Sequence, residues 1–119
     1  MARKVIDNPN SCTLVHAMNI IGGKWKPIII YLLANGPLRF GKLLLFISNI
    51  SKKVLTQQLR ELEDDGLILR QRFAETPPRV EYSLSERGKG LLPILKQLSH
   101  WTSKNFDAIA FEDCKIVNI

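Results

Sequence analysis

Residues 50–66 have the sequence ISKKVLTQQLRELEDDG and predict a single helix with a defined start, two faces and a defined end. Ser51 is a favourable N-cap residue because its hydroxyl accepts a hydrogen bond from a first-turn amide that otherwise has no partner. Gly66 favours the left-handed backbone conformation that commonly ends a helix. Between these two residues, one apolar stripe at helical spacing is formed by Leu55, Leu59 and Leu62.

The opposite face of this helix is polar and cationic over its first three turns, where it carries Lys52, Lys53, Thr56, Gln57 and Arg60. Most of these side chains are donors of the kind that phosphate oxygens and base edges accept. The last turn is acidic instead. One interpretation is a recognition helix whose N-terminal half enters the major groove of DNA, and the other is an ordinary solvated face. The flanking sequence favours the first interpretation.

The chain has 119 residues with 45% hydrophobic composition, which is a single-domain length with enough apolar residues for a core. Its net charge of +6 is unevenly distributed. Residues 1–60 contain nine Lys or Arg and one acid, for +8, whereas residues 61–119 contain eight Lys or Arg and ten acids, for −2. A basic half fits a polyanionic partner, although excess charge also aids solubility.

Several classes of protein are not expected from this sequence. Neither a membrane span of about 18 or more apolar residues nor a signal peptide is present, so we expect a cytoplasmic protein. The two cysteines, Cys12 and Cys114, are too few for a disulfide scaffold, and neither they nor His16 and His100 have metal-ligand spacing. Because no catalytic set of residues is visible, we expect no enzyme activity, no cofactor and no metal.

The segments before residue 50 predict the other helices of the core. Residues 25–34 are apolar on nearly every side and should form the central helix. A short extended segment at 38–40 precedes a third helix over about 41–47, and a brief turn joins it to the helix at 51–65. Two helices joined in this way are typical of the helix-turn-helix arrangement.

After Gly66 the apolar residues recur at about every second position, which predicts two strands over 67–74 and 79–84. Prolines in the connecting segment 75–78 cannot donate hydrogen bonds to a sheet, so they belong at the tip of a hairpin. A hairpin directly after a recognition helix is a wing, and its cationic residues are Arg70, Arg72 and Arg79.

Arg79 follows Pro77 and Pro78, and these stiff residues are expected to hold the tip of the wing away from the domain. This position suits a contact to the DNA backbone or the minor groove. The alternative is a surface arginine that lies opposite Glu75 or Glu81.

The two ends of the domain carry apolar residues that predict a dimer interface. We expect an arm at 1–10, a first helix over about 11–21, a last helix over about 85–104 and a tail at 107–119. The alternative is that the last helix only closes the core of its own chain. The residues predicted to lie between two copies of the chain are Leu14, Met18, Leu91, Leu95, Leu98 and Trp101.

Several motifs follow one another in order over residues 11–101. They are Cys12, Ile21-Gly22-Gly23-Lys24-Trp25, Gly36-Pro37-Leu38-Arg39-Phe40, residues 50–59, residues 62–68, Pro77-Pro78-Arg79-Val80-Glu81-Tyr82-Ser83-Leu84, Gly88 and Leu92-Pro93-Ile94-Leu95. Together these motifs resemble the HxlR-type family of bacterial winged helix-turn-helix regulators. Pro27 departs from the residues that many members carry, although the first turn of a helix tolerates proline.

The resemblance implies a mainly α fold with a small β-hairpin wing, in which the N- and C-terminal helices form a dimer interface. It implies a transcription regulator, related to MarR-type proteins, that binds double-stranded operator DNA as a homodimer through the helix 51–65 and the wing. Several members of the family sense oxidants or electrophiles through a cysteine at the position of Cys12. Cys12 would lie at a helix start, which favours the reactive thiolate. The alternative is a cysteine that only packs.

These arguments define the predicted sites, with the domain spanning 11–106. The DNA-binding residues are predicted to be Arg39, Ser51, Lys52, Lys53, Thr56, Gln57, Arg60, Arg70, Arg72 and Arg79. Cys12 is the candidate redox sensor. The alternative function, from another class, is a winged helix used only for contact with another protein, without DNA binding.

Overall fold

A computed structural model of the protein describes residues 8–106, and it confirms the predicted winged helix-turn-helix architecture. After a short 3-10 turn, the helices are α1 (Thr13–Ile21), α2 (Trp25–Leu33), α3 (Phe40–Phe46), α4 (Lys52–Asp64) and α5 (Glu86–Asn105). The strands are β1 (Leu38–Arg39), β2 (Ile68–Phe73) and β3 (Arg79–Leu84). Most of the predicted arm, the predicted tail and Cys114 lie outside the described residues.

The wing is the hairpin of β2 and β3, which pair antiparallel from Ile68 opposite Leu84 to Phe73 opposite Arg79. The sheet has a third strand that the alternation of residues did not predict. β1 pairs antiparallel with β3, so that the strand order is β1-β3-β2. The segment before α3 therefore holds the base of the wing against the helices.

The ends of α4 have the structure that its sequence predicts. The Ser51 hydroxyl accepts a hydrogen bond from the amide of Val54 at 3.1 Å. At the other end Gly66 has a φ of +74°, where a side chain would be strained. The amides of Gly66 and Leu67 then donate to the carbonyls of Glu63 and Leu62, which is the Schellman arrangement of a helix end. Local signals therefore fix where α4 starts and stops.

The core lies between α2, α4, α5 and the base of the sheet. Its buried side chains include Ile29, Ile30, Leu33, Leu43, Leu55, Leu59, Leu62, Ile68, Leu84 and Leu95. As expected of the central helix, α2 supplies three of these residues and contacts α4, α5 and β3. The whole apolar stripe of α4 is buried, so packing fixes which residues of α4 face solvent.

The last helix, α5, is continuous from Glu86 to Asn105 and passes through Gly88, Gly90 and Pro93. Its N-cap is Ser85, whose hydroxyl accepts a hydrogen bond from the amide of Gly88 at 3.1 Å. No helix within residues 8–106 is both long enough and apolar enough to span a bilayer.

Candidate nucleic-acid interface

The polar face of α4 forms a continuous exposed surface. Lys52, Lys53, Gln57 and Arg60 are exposed, and within residues 8–106 their side chains form no hydrogen bond or ion pair. With Thr56, Glu61 and Asp64 they line one shallow surface groove. The packing of α4 therefore leaves a set of unpaired donors on a single helix face.

Thr56 differs from its neighbours because its hydroxyl donates a hydrogen bond to the carbonyl of Lys52 at 2.7 Å. In this rotamer the Thr56 oxygen accepts but does not donate, so it does not suit a phosphate oxygen. It suits an amino group on a base edge, or its methyl group suits the methyl of thymine. The Ser51 oxygen is occupied by the N-cap bond, and its hydroxyl hydrogen is left to donate.

Charge is distributed along α4 against the helix dipole. The first turn contains no acid and the last turn contains no base. Basic residues near a helix N-terminus and acidic residues near its C-terminus each cost about 0.3–1 kcal/mol at low ionic strength. Helix stability does not account for this order of charges. It suits an anion at the N-terminal end, where the free amides and the cations Lys52 and Lys53 act together.

Among the cations of residues 8–60, one is not on the surface. Lys26, in the first turn of α2, is 7% exposed and its amino group lies 3.1 Å from the Glu61 carboxylate on α4. This ion pair joins the central helix to the cationic helix, and it was not predicted. A lysine among the apolar residues of 25–34 was the only signal in the sequence.

The wing arginines are divided between two faces because successive side chains of a strand alternate. Arg70 and Arg72 are exposed on one face, opposite Tyr82 and Val80 in the register of the hairpin. Neither forms an ion pair within the described residues. Arg79 lies on the other face.

Arg79 lies beside Glu75 and Glu81, which is the alternative to a DNA contact that the sequence left open. Its guanidinium lies 3.3 Å from the Glu75 carboxylate, 3.4 Å from the Glu81 carboxylate and 4.1 Å from the centre of the Phe73 ring. The side chain is only 27% exposed. Arg79 is therefore not a free cation here, because Glu75 at the tip of the wing and Glu81 on β3 both direct their carboxylates onto it.

Arg39 lies at the end of β1, opposite Glu81 in the register, and immediately before α3. It is exposed and has no ion pair within the described residues, since Glu81 pairs with Arg79 and not with Arg39. The Arg39 side chain is thus a further free cation beside the sheet.

The residues predicted for the dimer interface fall into two groups. Leu14, Met18, Leu98 and Trp101 are large apolar side chains that are about half exposed or more. Ile20 and Ile94 extend this apolar surface. Leu91 is half-buried against the core, and Leu95 is 4% exposed within it. The prediction that Leu95 lies in the dimer interface is therefore wrong. The apolar stripe on α5 is wide enough to pack on its own chain and also to leave an exposed edge.

Cys12 is the N-cap residue of α1, and its thiol is free and half-buried. Its carbonyl accepts a hydrogen bond from the amide of His16, but its side chain makes no capping bond. The predicted position of the thiol at a helix start is confirmed.

The comparison with known proteins agrees with this geometry. The family model described as HxlR-like helix-turn-helix matches residues 20–110. An HTH-type transcriptional regulator of Halalkalibacterium halodurans is 47% identical over 104 residues, which are 87% of this chain and 88% of that protein.

Solved structures with the same fold include two forms of one regulator. The redox regulator HypR in its reduced form has a TM-score of 0.77 and 40% identity, over 82% of this chain and 96% of that chain. For the oxidized form of HypR the TM-score is 0.74 and the identity 41%, over 79% of this chain and 97% of that chain. A MarR-family transcriptional regulator from Porphyromonas gingivalis has a TM-score of 0.77 and 36% identity, over 87% and 100%.

These matches are to transcriptional regulators and not to enzymes, which confirms the prediction that the chain is not an enzyme. Both the family model and a close relative span most of the chain. The protein belongs to the HxlR-like helix-turn-helix family of transcriptional regulators.

Proposed function

We propose that the protein regulates transcription by binding an operator as a homodimer, with the N-terminal half of α4 in the major groove. The observation that carries this proposal is the exposed, unpaired set of donors on α4, whose charges oppose the dipole of their own helix. Two copies would place their α4 helices in successive major grooves, about 34–36 Å apart. Lys52, Lys53 and Arg39 would neutralise phosphates.

Sequence readout is assigned to Thr56, Gln57 and Arg60, which lie on the first three turns of the exposed face. Replacing Gln57 or Arg60 by alanine should cost about 1–3 kcal/mol per half-site and relax the choice of base there. Gln97→Ala makes the same chemical change at an exposed position of α5 and is the matched control. The operator for this test is a duplex that the wild-type protein selects from a random-sequence library. If Gln57→Ala and Arg60→Ala bind it as tightly as Gln97→Ala does, the assignment of α4 to the major groove is wrong.

The experiment that tests the function itself is a mobility shift with mixed fragments of the source genome at a stated salt concentration. The proposal expects a subset of fragments to shift at protein concentrations where the remaining fragments do not. If no fragment is preferred, or if none shifts, the alternative of a winged helix used only for protein contact is favoured.

The exposed apolar surface of α1 and α5 supports the homodimer. Leu14, Met18, Leu98 and Trp101 are all exposed, and Met18 and Leu98 line one groove between α1 and α5. Exposed apolar residues grouped in this way are of the kind that soluble proteins cover with a partner. Leu98→Glu should convert the dimer to a monomer in sedimentation equilibrium and weaken operator binding. A monomeric wild-type protein that still binds the full operator would contradict the proposal.

Thiol oxidation at Cys12 is proposed to modulate binding. Two observations support this: Cys12 is free at the start of α1, and the relative HypR has been solved in reduced and oxidized forms. Mild oxidation should change the operator affinity of the wild type and not that of Cys12→Ser. An equal response in the two proteins would mean that Cys12 only packs.

A further inference from the structure

Residues 65–67, which follow α4, make several contacts with residues 85–88 at the start of α5. We term these two segments the α4–α5 junction. Three consecutive carbonyls of the first segment accept hydrogen bonds from the second. Arg87 donates to Asp65 at 3.0 Å, and Ser85 donates its hydroxyl to Gly66 and its amide to Leu67. The same Ser85 oxygen caps α5, so one atom joins the ends of both helices.

Backbone contact at the junction leaves no space for a side chain. A Cβ added at Gly88 would lie 2.1 Å from the Leu67 carbonyl oxygen and 3.2 Å from Leu84. An ordinary contact starts at 3.4 Å, so the backbone would have to separate by 3.4 − 2.1 = 1.3 Å. At Gly90, one half-turn further along α5, an added Cβ has no neighbour within 4 Å.

The exposed apolar part of α5 lies beyond this junction, at Ile94, Leu98 and Trp101. Thirteen residues separate Gly88 from Trp101, which corresponds to about 20 Å of helix. A tilt of about 10° at the junction therefore moves the far end by about 3.5 Å, close to the rise of one base pair. A small change in the angle between α4 and α5 is thus large enough to matter on DNA.

We infer that Ser85, Arg87 and Gly88 are positioning residues that set the spacing between the two half-sites of the operator. They do so by fixing the angle between α5, which carries the dimer contacts, and α4, which enters the groove. The inference rests on the proposed homodimer. It assigns these residues a role in specificity although none of them would touch DNA.

The test uses a duplex selected by the wild-type protein from a random-sequence library, and derivatives with one or two base pairs inserted or removed between the half-sites. Affinities of wild type, Gly88→Ala and Arg87→Met are measured by fluorescence anisotropy, together with binding to a duplex that carries one half-site. Gly90→Ala is the matched control, because it makes the same change in the same helix without a contact inside its own chain; sedimentation equilibrium checks that it leaves the dimer intact.

Gly88→Ala and Arg87→Met should move the spacer optimum by about one base pair, or reduce the preference for the original spacer about 2- to 10-fold. Their affinity for the single half-site should stay at the wild-type value, as should every affinity of Gly90→Ala. If Gly88→Ala does not fold, Arg87→Met decides. An unchanged spacer profile, or an equal loss on all duplexes including the half-site, overturns the inference. A wild type without any spacer preference would instead overturn the homodimer proposal.

Discussion

Replacing Lys53 by glutamate should stabilise the folded protein and weaken DNA binding, and both effects follow from one feature of α4. Lys53 is the second residue of the helix, is exposed, and has no ion pair within the described residues. The residues one turn on, Thr56 and Gln57, are uncharged, so the substitution neither breaks nor creates a charge pair along the helix. The change therefore isolates the interaction of one charge with the helix N-terminus.

The size of the stability effect follows from the helix dipole. The substitution removes one unfavourable charge and adds one favourable charge, each worth about 0.3–1 kcal/mol, so the folded state should gain about 0.6–2 kcal/mol at low salt. For a domain of this size the melting temperature should rise by about 3–10 °C. The gain should diminish as salt is raised, because screening weakens interactions between exposed charges.

The effect on DNA binding has the opposite sign. Because each of the two protomers would neutralise one phosphate fewer, the slope of log affinity against log salt should fall by about 1.8. If the two proteins bind equally at 1 M salt, this difference in slope makes binding of the variant about 60-fold weaker at 0.1 M salt, before any repulsion by the new carboxylate is counted. The assays are thermal unfolding followed by circular dichroism, and anisotropy with the selected duplex over a series of salt concentrations.

Lys96→Glu is the control, because it makes the same change of net charge at an exposed position in the interior of α5. It should leave the salt slope close to that of the wild type and give no comparable gain in melting temperature. The reasoning is refuted if Lys53→Glu destabilises the protein, or if its salt slope equals that of Lys96→Glu.

Two further predictions concern ion pairs that the structure contains. Glu75→Gln should remove one of the two carboxylates that hold Arg79 and leave the pair with Glu81. DNA binding should tighten by at most about 2- to 30-fold per dimer, because an exposed pair is worth about 0.2–1 kcal/mol per protomer. The gain should vanish in an Arg79→Ala background, and equal gains in the two backgrounds would mean that Glu75 acts only as a repulsive charge. Glu61→Ala should lower the free energy of unfolding in urea by about 2–4 kcal/mol because it leaves the buried Lys26 without a partner, whereas Lys26→Met should lower it by less than about 1.5 kcal/mol. Glu63→Ala is the exposed control. A larger loss for Lys26→Met than for Glu61→Ala would show that the pair does not hold α4 in this way.

The features of α4 were predictable because the signals that define them are local. The Ser51 cap, the apolar stripe and the Gly66 terminus each depend on residues within one or two turns of each other. The wing was predictable for a similar reason, since alternation and paired prolines mark a hairpin. Short-range hydrogen bonding and periodicity therefore account for the correctly predicted elements.

The features that could not be predicted depend on which elements meet in space. The burial of Lys26 requires α4 to pack across α2, and the pairing of β1 with β3 joins segments about 40 residues apart. The sequence does not decide whether Arg79 contacts DNA or pairs with Glu75 and Glu81, because it does not specify where the tip of the wing places Glu75. The prediction for Leu95 was wrong because the stripe on α5 does not show where the core of the same chain ends.

A hydroxyl-radical footprint on the selected duplex tests the central claim most directly. Two copies of α4 in successive major grooves should give two protected patches related by twofold symmetry, with centres about 10–10.5 base pairs apart. Both patches should disappear for Lys53→Glu at the lowest protein concentration that gives the full wild-type footprint. A single patch, or two patches that persist in Lys53→Glu at this concentration, would contradict the account.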